Sequence, residues 1–285
     1  MTATYIFVHG ANTNGLTWAP VQRELALLGQ RALAVDLPGH GYEASFAPSY
    51  QAPQDLAAFA AAPARLADVT LDDYVERVVG IVRRAAEHGP VVLVGHSLGG
   101  LTLTGVGAAV PELIDRIVYI AAWCCVDATA GEYARSPEFA SSLVPAAGAA
   151  AVGDPADLGV IRLNWRTADP ALLAVFKEMM LAEGTEQEFL SFLNTLEPDE
   201  SLRVSSTETR VDAATWGRIP RAYIRLTADR SIPVQLQDRF IKEADLLTPD
   251  NPFEVHSLDS SHVGFMIRGD ALAAILAGPA GPAVR

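Results

Sequence analysis

The chain has 285 residues, half of them hydrophobic and 19% charged, which is typical of a folded globular protein and excludes an intrinsically disordered one. Its length indicates either one large domain or a core with an inserted subdomain. The formal net charge of −13 and an isoelectric point near 4.8 exclude nucleic acids and anionic membranes as favoured partners.

Short apolar segments alternate with helical patterns in the first part of the chain. Residues 5–8 and 32–35 are apolar runs that end in turn-forming residues, as expected of strands buried on both faces. Between them, residues 18–28 carry apolar side chains at helical spacing. Residues 42–69 are rich in alanine and proline without a strong period, which predicts a long, partly helical excursion whose role the sequence leaves open.

The next helix has a clear start signal. Thr70 and Asp73 form a capping box, and an apolar stripe at helical spacing follows them. Residues 91–94 then predict a buried strand, residues 98–110 a helix that ends at a proline, and residues 117–122 a further strand.

The strand pattern disappears between residues 123 and 212, where apolar residues recur at helical intervals. Strands resume at residues 222–226 and 253–258, and an amphipathic helix follows at residues 270–276.

This alternation predicts an α/β fold with a mostly parallel, doubly wound sheet. We expect residues 1–122 and 213–285 to form the core, and residues 123–212 to form an inserted, mainly helical cap. In such sheets ligands bind beyond the carboxyl ends of the strands.

The strongest chemical signal is the pattern Gly-x-Ser-x-Gly at residues 95–99, between a predicted buried strand and a predicted helix. A serine on so sharp a turn leaves no room for side chains at the flanking positions, which explains the glycines. The turn lifts the hydroxyl of Ser97 out of the sheet. It also places the Leu98 N–H at a helix start, where a developing oxyanion is favoured. The sequence therefore predicts Ser97 as a nucleophile.

A serine hydroxyl needs a base and an orienting acid, and in folds with this turn the acid precedes the histidine in the chain. His262 lies on a loop after the last predicted strand, whereas His256 lies inside that strand, so we expect His262 to be the base. We expect Asp229, which also follows a strand end, to be the acid. Asp259 is the alternative, although its loop would have to fold back to reach His262.

A second oxyanion donor is expected from the loop after the first strand. Gly10 permits close approach of the backbone, and the Ala11 N–H is predicted to point at the substrate oxygen. His9 is expected to brace this loop by hydrogen bonds.

These residues resemble those of the α/β-hydrolase superfamily, and more narrowly the small-molecule esterases grouped with plant methyl esterases and hydroxynitrile lyases. The resemblance implies a cofactor-free Ser-His-Asp enzyme with a mainly helical cap over the pocket. It rests on residues 9–11, 36–41, 95–99 and 119–122, on Asp229 with Ile232, Pro233 and Gln235, and on Ser261 with His262.

The resemblance also separates the two activities of this group. In the hydroxynitrile lyases a lysine directly follows the catalytic histidine, and a threonine lies in the oxyanion loop. This chain has Val263 and Ala11 at those positions. A neutral valine offers no charge to a departing cyanide, which favours hydrolysis.

We therefore expect the chain to cleave a carboxylic ester or lactone of a small apolar substrate. Cap residues Trp165, Phe176, Met180 and Phe189 are expected to line its pocket. Two alternatives stay open: a carbon–carbon bond lyase of the hydroxynitrile-lyase type, and a ligand receptor that retains the triad.

The sequence predicts neither a cofactor nor a metal site. Cys124 and Cys125 are adjacent, which argues against a loop-closing disulfide, and no histidines at ligand spacing lie nearby. The start of the chain has no basic leader and no apolar run of membrane length, so we expect a cytoplasmic protein without a membrane partner. A homodimer is compatible with the sequence.

Overall fold

The computed structural model describes residues 2–278 and alternates strands with helices from its start. Up to the fourth strand the elements are β1 (Thr4–Val8), α1 (Ala19–Leu27), β2 (Arg31–Val35), α2 (Leu56–Ala60), α3 (Leu71–Ala86), β3 (Val91–His96), α4 (Gly99–Ala109) and β4 (Arg116–Ile120). Then come α5 (Ala130–Tyr133), α6 (Val144–Ala147), α7 (Pro155–Leu158), β5 (Val160–Arg162), α8 (Pro170–Met180), α9 (Glu186–Leu193), β6 (Asp199–Ser201) and α10 (Leu202–Ser205). The last elements are β7 (Arg221–Leu226), α11 (Val234–Leu247), β8 (Glu254–Leu258) and α12 (Gly269–Ala277).

Six strands form one parallel sheet in the order β2-β1-β3-β4-β7-β8. Side chains of β3 alternate between its two faces: Val91 and Leu93 pack with α3, α4 and α11, whereas Val92 and Val94 pack with α1 and α12. Helices cover both faces, which is why the central strands are continuous apolar runs. The predicted α/β fold with a parallel, doubly wound sheet is confirmed.

Helix α3 begins where the capping box predicts. The Asp73 N–H donates to Thr70 Oγ1 at 3.4 Å, and the Thr70 N–H donates to Asp73 Oδ2 at 2.8 Å. Two amide groups at the exposed helix start are thereby satisfied.

Residues 121–220, the inserted segment, lie between β4 and β7, which are neighbours in the sheet. The segment is mainly helical, but β5 and β6 pair within it as an antiparallel ladder. The sequence shows no strand pattern in this segment, so these two strands were not among the predicted elements. Each strand has three residues, and a buried ion pair joins them: Arg162 Nε lies 2.6 Å from Asp199 Oδ1. Such strands lack the apolar run on which the prediction depends.

The division of the chain at residues 122 and 213 stays a prediction. Of the range expected to form the second part of the core, residues 279–285 lie outside the described residues.

The excursion at residues 42–69 supports the inserted segment. Arg162 Nη1 donates to the carbonyl oxygens of Phe59 and Ala62 at 2.7 and 2.8 Å, and Gln54 Nε2 donates to Asn164 Oδ1 at 2.9 Å. These hydrogen bonds fix β5 to the excursion. The excursion therefore has a structural role that its composition did not indicate.

None of the helices within residues 2–278 is both long enough and apolar enough to cross a lipid bilayer.

Cys124 and Cys125 are buried free thiols.

Candidate active site

Ser97 lies on the turn between β3 and α4, at the carboxyl edge of the sheet. Its φ of +54° is in the left-handed region, which residues other than glycine rarely adopt. The turn packs so closely on the loop after β1 that a Cβ on Gly99 would lie 2.5 Å from the His9 carbonyl oxygen. Backbone packing therefore holds a strained turn, and Ser97 lines a cavity there.

The structure brings His262 and Asp229 together at the same edge. His262 Nδ1 lies 2.7 Å from Asp229 Oδ2. The other carboxylate oxygen, Oδ1, accepts the N–H groups of Ser231 and Ile232 at 2.6 and 2.9 Å. An ionised carboxylate only accepts hydrogen bonds, so this pattern assigns the proton of His262 to Nδ1. Its Nε2 is then left to accept a proton.

The alternative acid and base lie elsewhere. Asp259 is exposed, and His256 lies on the edge strand β8, bonded to a neighbouring glutamate at 2.7 Å. The geometry therefore pairs His262 with Asp229. Among the described residues, Ser97 and His262 share a cavity rather than a direct hydrogen bond, and such bonds often tighten only when substrate binds.

The imidazole of His262 is held from two sides. The ring of His96 packs on it with centroids 4.3 Å apart, and burial lowers the pKa of His96 well below its ordinary value, so that ring stays neutral. On the other side, the Met180 carbonyl accepts the Ser261 hydroxyl at 3.0 Å and the Val263 N–H at 2.9 Å. The end of α8 thus fixes the loop that carries His262.

The loop after β1 (residues 9–14, the β1 loop) lies against Ser97. Ala11 of this loop and Leu98, the residue after Ser97, line the same cavity as Ser97. A Cβ on Gly10 would lie 2.7 Å from Ser97 Cβ, so only glycine allows this approach. Within residues 2–278, the N–H groups of Ala11 and Leu98 donate to no other group. Two unused donors beside a serine hydroxyl can stabilise a negatively charged oxygen.

His9 braces the β1 loop, as predicted. Its Nε2 accepts the Leu37 N–H at 3.1 Å, so Nδ1 carries the proton and donates to the Gly10 carbonyl at 2.9 Å. Burial lowers the pKa of His9 to about 3, and repulsion from His40 adds to the effect. His9 is therefore a neutral brace.

A cavity of about 460 Å³ adjoins these groups and is lined mainly by apolar side chains. Trp165 and Met180 line it. Phe176 and Phe189 do not, which corrects the expectation: both lie in the apolar core of the inserted segment, where Phe176 packs against Trp165 with ring centroids 4.8 Å apart. Helical spacing identifies buried positions, but it does not tell which of them face a cavity. Further lining residues are Asn12, Trp123, Phe139, Val144, Ile161, Leu163, Met179, Glu200, Ser205 and Ile232.

Among the described residues that line the cavity, Glu200 is the one that carries a carboxyl group. It is 3% exposed and lies on β6, in the sequence Glu-Pro-Asp-Glu-Ser at residues 197–201. Such a sequence is typical of a solvated turn, so no sequence signal indicated a buried carboxyl beside the site.

Comparisons with known proteins agree with the fold. The model of the α/β hydrolase family matches residues 5–275. An esterase of Mycobacterium tuberculosis is 36% identical over 115 residues, which cover 40% of this chain and 31% of that protein. This chain thus spans about a third of that relative's length. Methylesterase 17 of Arabidopsis thaliana is 22% identical over 269 residues, which cover 92% of this chain and 85% of that protein.

A solved structure is also similar over nearly the whole chain. A pyrethroid hydrolase from Sphingobium faniae JZ-2 aligns with a TM-score of 0.72 and 22% identity, over 97% of this chain and 96% of that chain. At this identity the likeness supports the fold alone.

Proposed function

Because the chain belongs to the α/β-hydrolase family, in its esterase branch, we propose that it is a serine hydrolase that cleaves a carboxylic ester or lactone of a small apolar substrate. One observation carries the proposal: Ser97, the His262–Asp229 pair and two unused amide donors converge on one apolar cavity.

The geometry supports an acyl-enzyme mechanism. Ser97 Oγ attacks the carbonyl carbon while His262 Nε2 takes its proton, and Asp229 stabilises the resulting imidazolium. The oxyanion accepts hydrogen bonds from the N–H groups of Ala11 and Leu98. The imidazolium then protonates the departing alkoxide, and water, activated by the same histidine, releases the acid. In this mechanism, side chains, backbone amides and water provide all the proton transfers and all the hydrogen bonds to the oxyanion.

The cavity favours a small and largely apolar ester. Its volume of about 460 Å³ falls in the range of sites that enclose molecules of drug size.

The lyase alternative is less well supported. Within residues 2–278, no lysine or arginine lines the cavity, and Val263 is buried directly after His262. A departing cyanide anion would therefore lack a nearby cation, whereas an alkoxide is neutralised by the proton of His262.

A panel of p-nitrophenyl and alkyl esters and lactones of graded size, with Ser97→Ala as the control, tests the proposal. We expect hydrolysis by the wild type and a loss of several orders of magnitude in kcat in a folded Ser97→Ala. Tight binding of esters without turnover would favour a receptor. More than a tenth of wild-type activity in Ser97→Ala would remove Ser97 from the nucleophile role.

A further inference from the structure

Four buried side chains beside the site take no part in the proposed proton transfers. They are His40, Tyr74, Glu197 and Glu200, and we call them the carboxylate cluster. Each is at most 3% exposed. Removing two carboxyl groups from water is costly unless hydrogen bonds replace the lost hydration, so their partners indicate what the cluster does.

The partners of Glu200 join the inserted segment to the β1 loop. Glu200 Oε2 accepts the backbone N–H of Asn12 at 3.1 Å. Its Oε1 accepts the Tyr74 hydroxyl at 3.2 Å and the Ser201 N–H at 3.1 Å. Glu200 therefore links β6 to the residue that directly follows Ala11.

Glu197 fixes the same loop and the loop after β2. Its carboxylate lies 2.7 Å from His40 Nδ1 and accepts the Gly41 N–H at 2.8 Å and Asn14 Nδ2 at 2.7 Å. Its backbone N–H donates to the Asn12 carbonyl at 2.8 Å, and its carbonyl accepts Asn12 Nδ2 at 3.0 Å.

The backbone N–H, the backbone carbonyl and the side-chain Nδ2 of Asn12 are thus bonded to the inserted segment, and its φ is +56°. Asparagine tolerates this left-handed conformation better than most residues, but the conformation persists only where neighbours enforce it. On the other side of Ala11, the Gly10 carbonyl accepts His9 Nδ1 and Thr13 Oγ1, each at 2.9 Å. The peptide groups on both sides of Ala11 are therefore fixed.

We propose that Glu200 is a positioning residue for the oxyanion hole: by accepting the Asn12 N–H, it holds the β1 loop so that the Ala11 N–H points at the developing oxyanion. The inference rests on the proposed function, because an oxyanion forms only if Ser97 attacks a carbonyl group. Glu200 acts through Ala11 and transfers no proton.

Two substitutions of Glu200 separate the effect of the acceptor's position from the effect of the negative charge. Glu200→Gln keeps an acceptor oxygen at the same reach from Asn12. It loses the negative charge, and its amide nitrogen replaces the Oε1 acceptor that faces Tyr74 and the Ser201 N–H. Glu200→Asp keeps the charge, but its shorter side chain withdraws the acceptor. Asp199→Asn is the matched control, since Asp199 is a buried carboxylate on the same strand whose partner is Arg162.

The measurements are kcat and KM for a p-nitrophenyl ester, together with the inhibition constant of an aryl trifluoromethyl ketone. The adduct of this ketone with Ser97 carries a negative oxygen, so its affinity reports on the oxyanion hole. For Glu200→Asp we expect kcat to fall by about 10- to 100-fold with little change in KM, since loss of a whole donor costs about 10²- to 10³-fold. Ketone affinity should fall in parallel. Glu200→Gln should retain more kcat than Glu200→Asp, because it keeps an acceptor for the Asn12 N–H. Asp199→Asn should lose thermal stability without a selective fall in kcat.

The inference is overturned if Glu200→Asp keeps wild-type kcat and ketone affinity, or if Glu200→Gln loses as much as Glu200→Asp. It is also overturned if Asp199→Asn shows the same split between kcat and KM. A wild type that hydrolyses no ester overturns the proposed function itself, so the two failures are distinguishable.

Discussion

A methyl group on Gly99 should damage both stability and catalysis. The added carbon of Gly99→Ala would lie 2.5 Å from the His9 carbonyl oxygen and 3.0 Å from that of Val8. Favourable non-bonded contacts lie near 3.5 Å or beyond, so the α4 start and the β1 loop must separate by roughly 0.5–1 Å. Both opposing atoms are backbone, and no side chain can rotate away.

The magnitudes follow from this displacement. Overpacking of a well-packed site costs about 1–3 kcal/mol of unfolding free energy. The separation also moves Ser97 away from Ala11, and a misplacement of about 1 Å can cost about 10²-fold in rate. We therefore expect Gly99→Ala to lower Tm by several degrees and kcat by roughly two orders of magnitude.

Gly80→Ala is the matched control. Gly80 is exposed in the interior of α3, and a Cβ there meets nothing within 4 Å. Alanine is favoured over glycine in a helix by about 0.5–1 kcal/mol, so this variant should be more stable and equally active. Circular dichroism melts and ester turnover measure both variants. The reasoning is refuted if Gly99→Ala keeps wild-type Tm and kcat, or if Gly80→Ala is destabilised to the same degree.

Three further predictions concern the acid, the buried histidine and the reaction type. Asp229→Asn should lower kcat far more than Asp259→Asn, because only Asp229 bonds to His262; the reverse order in ester assays would reassign the acid. Burial opposes the charge on His40, but its hydrogen bond to Glu197 and the charges of Glu200, Glu197 and Asp36 raise its pKa above 6.5 overall. A raised folded-state pKa stabilises the protein below pH 6.5, and this contribution is lost as pH rises through the folded-state pKa. The loss of unfolding free energy in His40→Asn, measured in urea, should therefore be larger at pH 6 than at pH 9, and an equal or larger loss at pH 9 would contradict this sign. Finally, the protein should hydrolyse aryl esters faster than it releases benzaldehyde from mandelonitrile, and the opposite order, dependent on Ser97, would favour the lyase.

The core strands could be predicted from the sequence because a strand that is buried on both faces is a continuous run of apolar residues. Residues 91–94 are a continuous apolar run, and the structure places them in β3 with neighbours on both faces. The pattern at residues 95–99 is equally informative, since the Leu103 side chain beside Gly95 and the His9 carbonyl oxygen beside Gly99 leave no room for a Cβ at either glycine. Close packing restricts the residue types, and the restriction is visible in the sequence.

The inserted segment could not be predicted to the same depth. Its strands are short, and β6 consists of Asp199, Glu200 and Ser201, which look like a solvated turn. Their burial depends on partners distant in sequence, such as Arg162 for Asp199 and the Asn12 amide for Glu200. Likewise, Trp165 and Phe176 are both buried aromatic residues, and only the three-dimensional packing decides which of them faces the cavity.

The position of the inserted segment has a consequence for how such proteins diverge. Residues 121–220 leave and re-enter the sheet at adjacent strands, so this stretch can be exchanged between relatives without altering the strand order. An exchange would keep Ser97, Asp229 and His262 in the chain, but it would replace much of the cavity wall and the Met180 carbonyl that fixes the His262 loop. It would also replace Glu197 and Glu200, which bond to the loop beside Ser97. A chimera with an exchanged segment therefore has a new cavity wall, and hence a new specificity, together with new contacts to the β1 loop. To be active, the new segment must both form the cavity and bond correctly to the β1 loop.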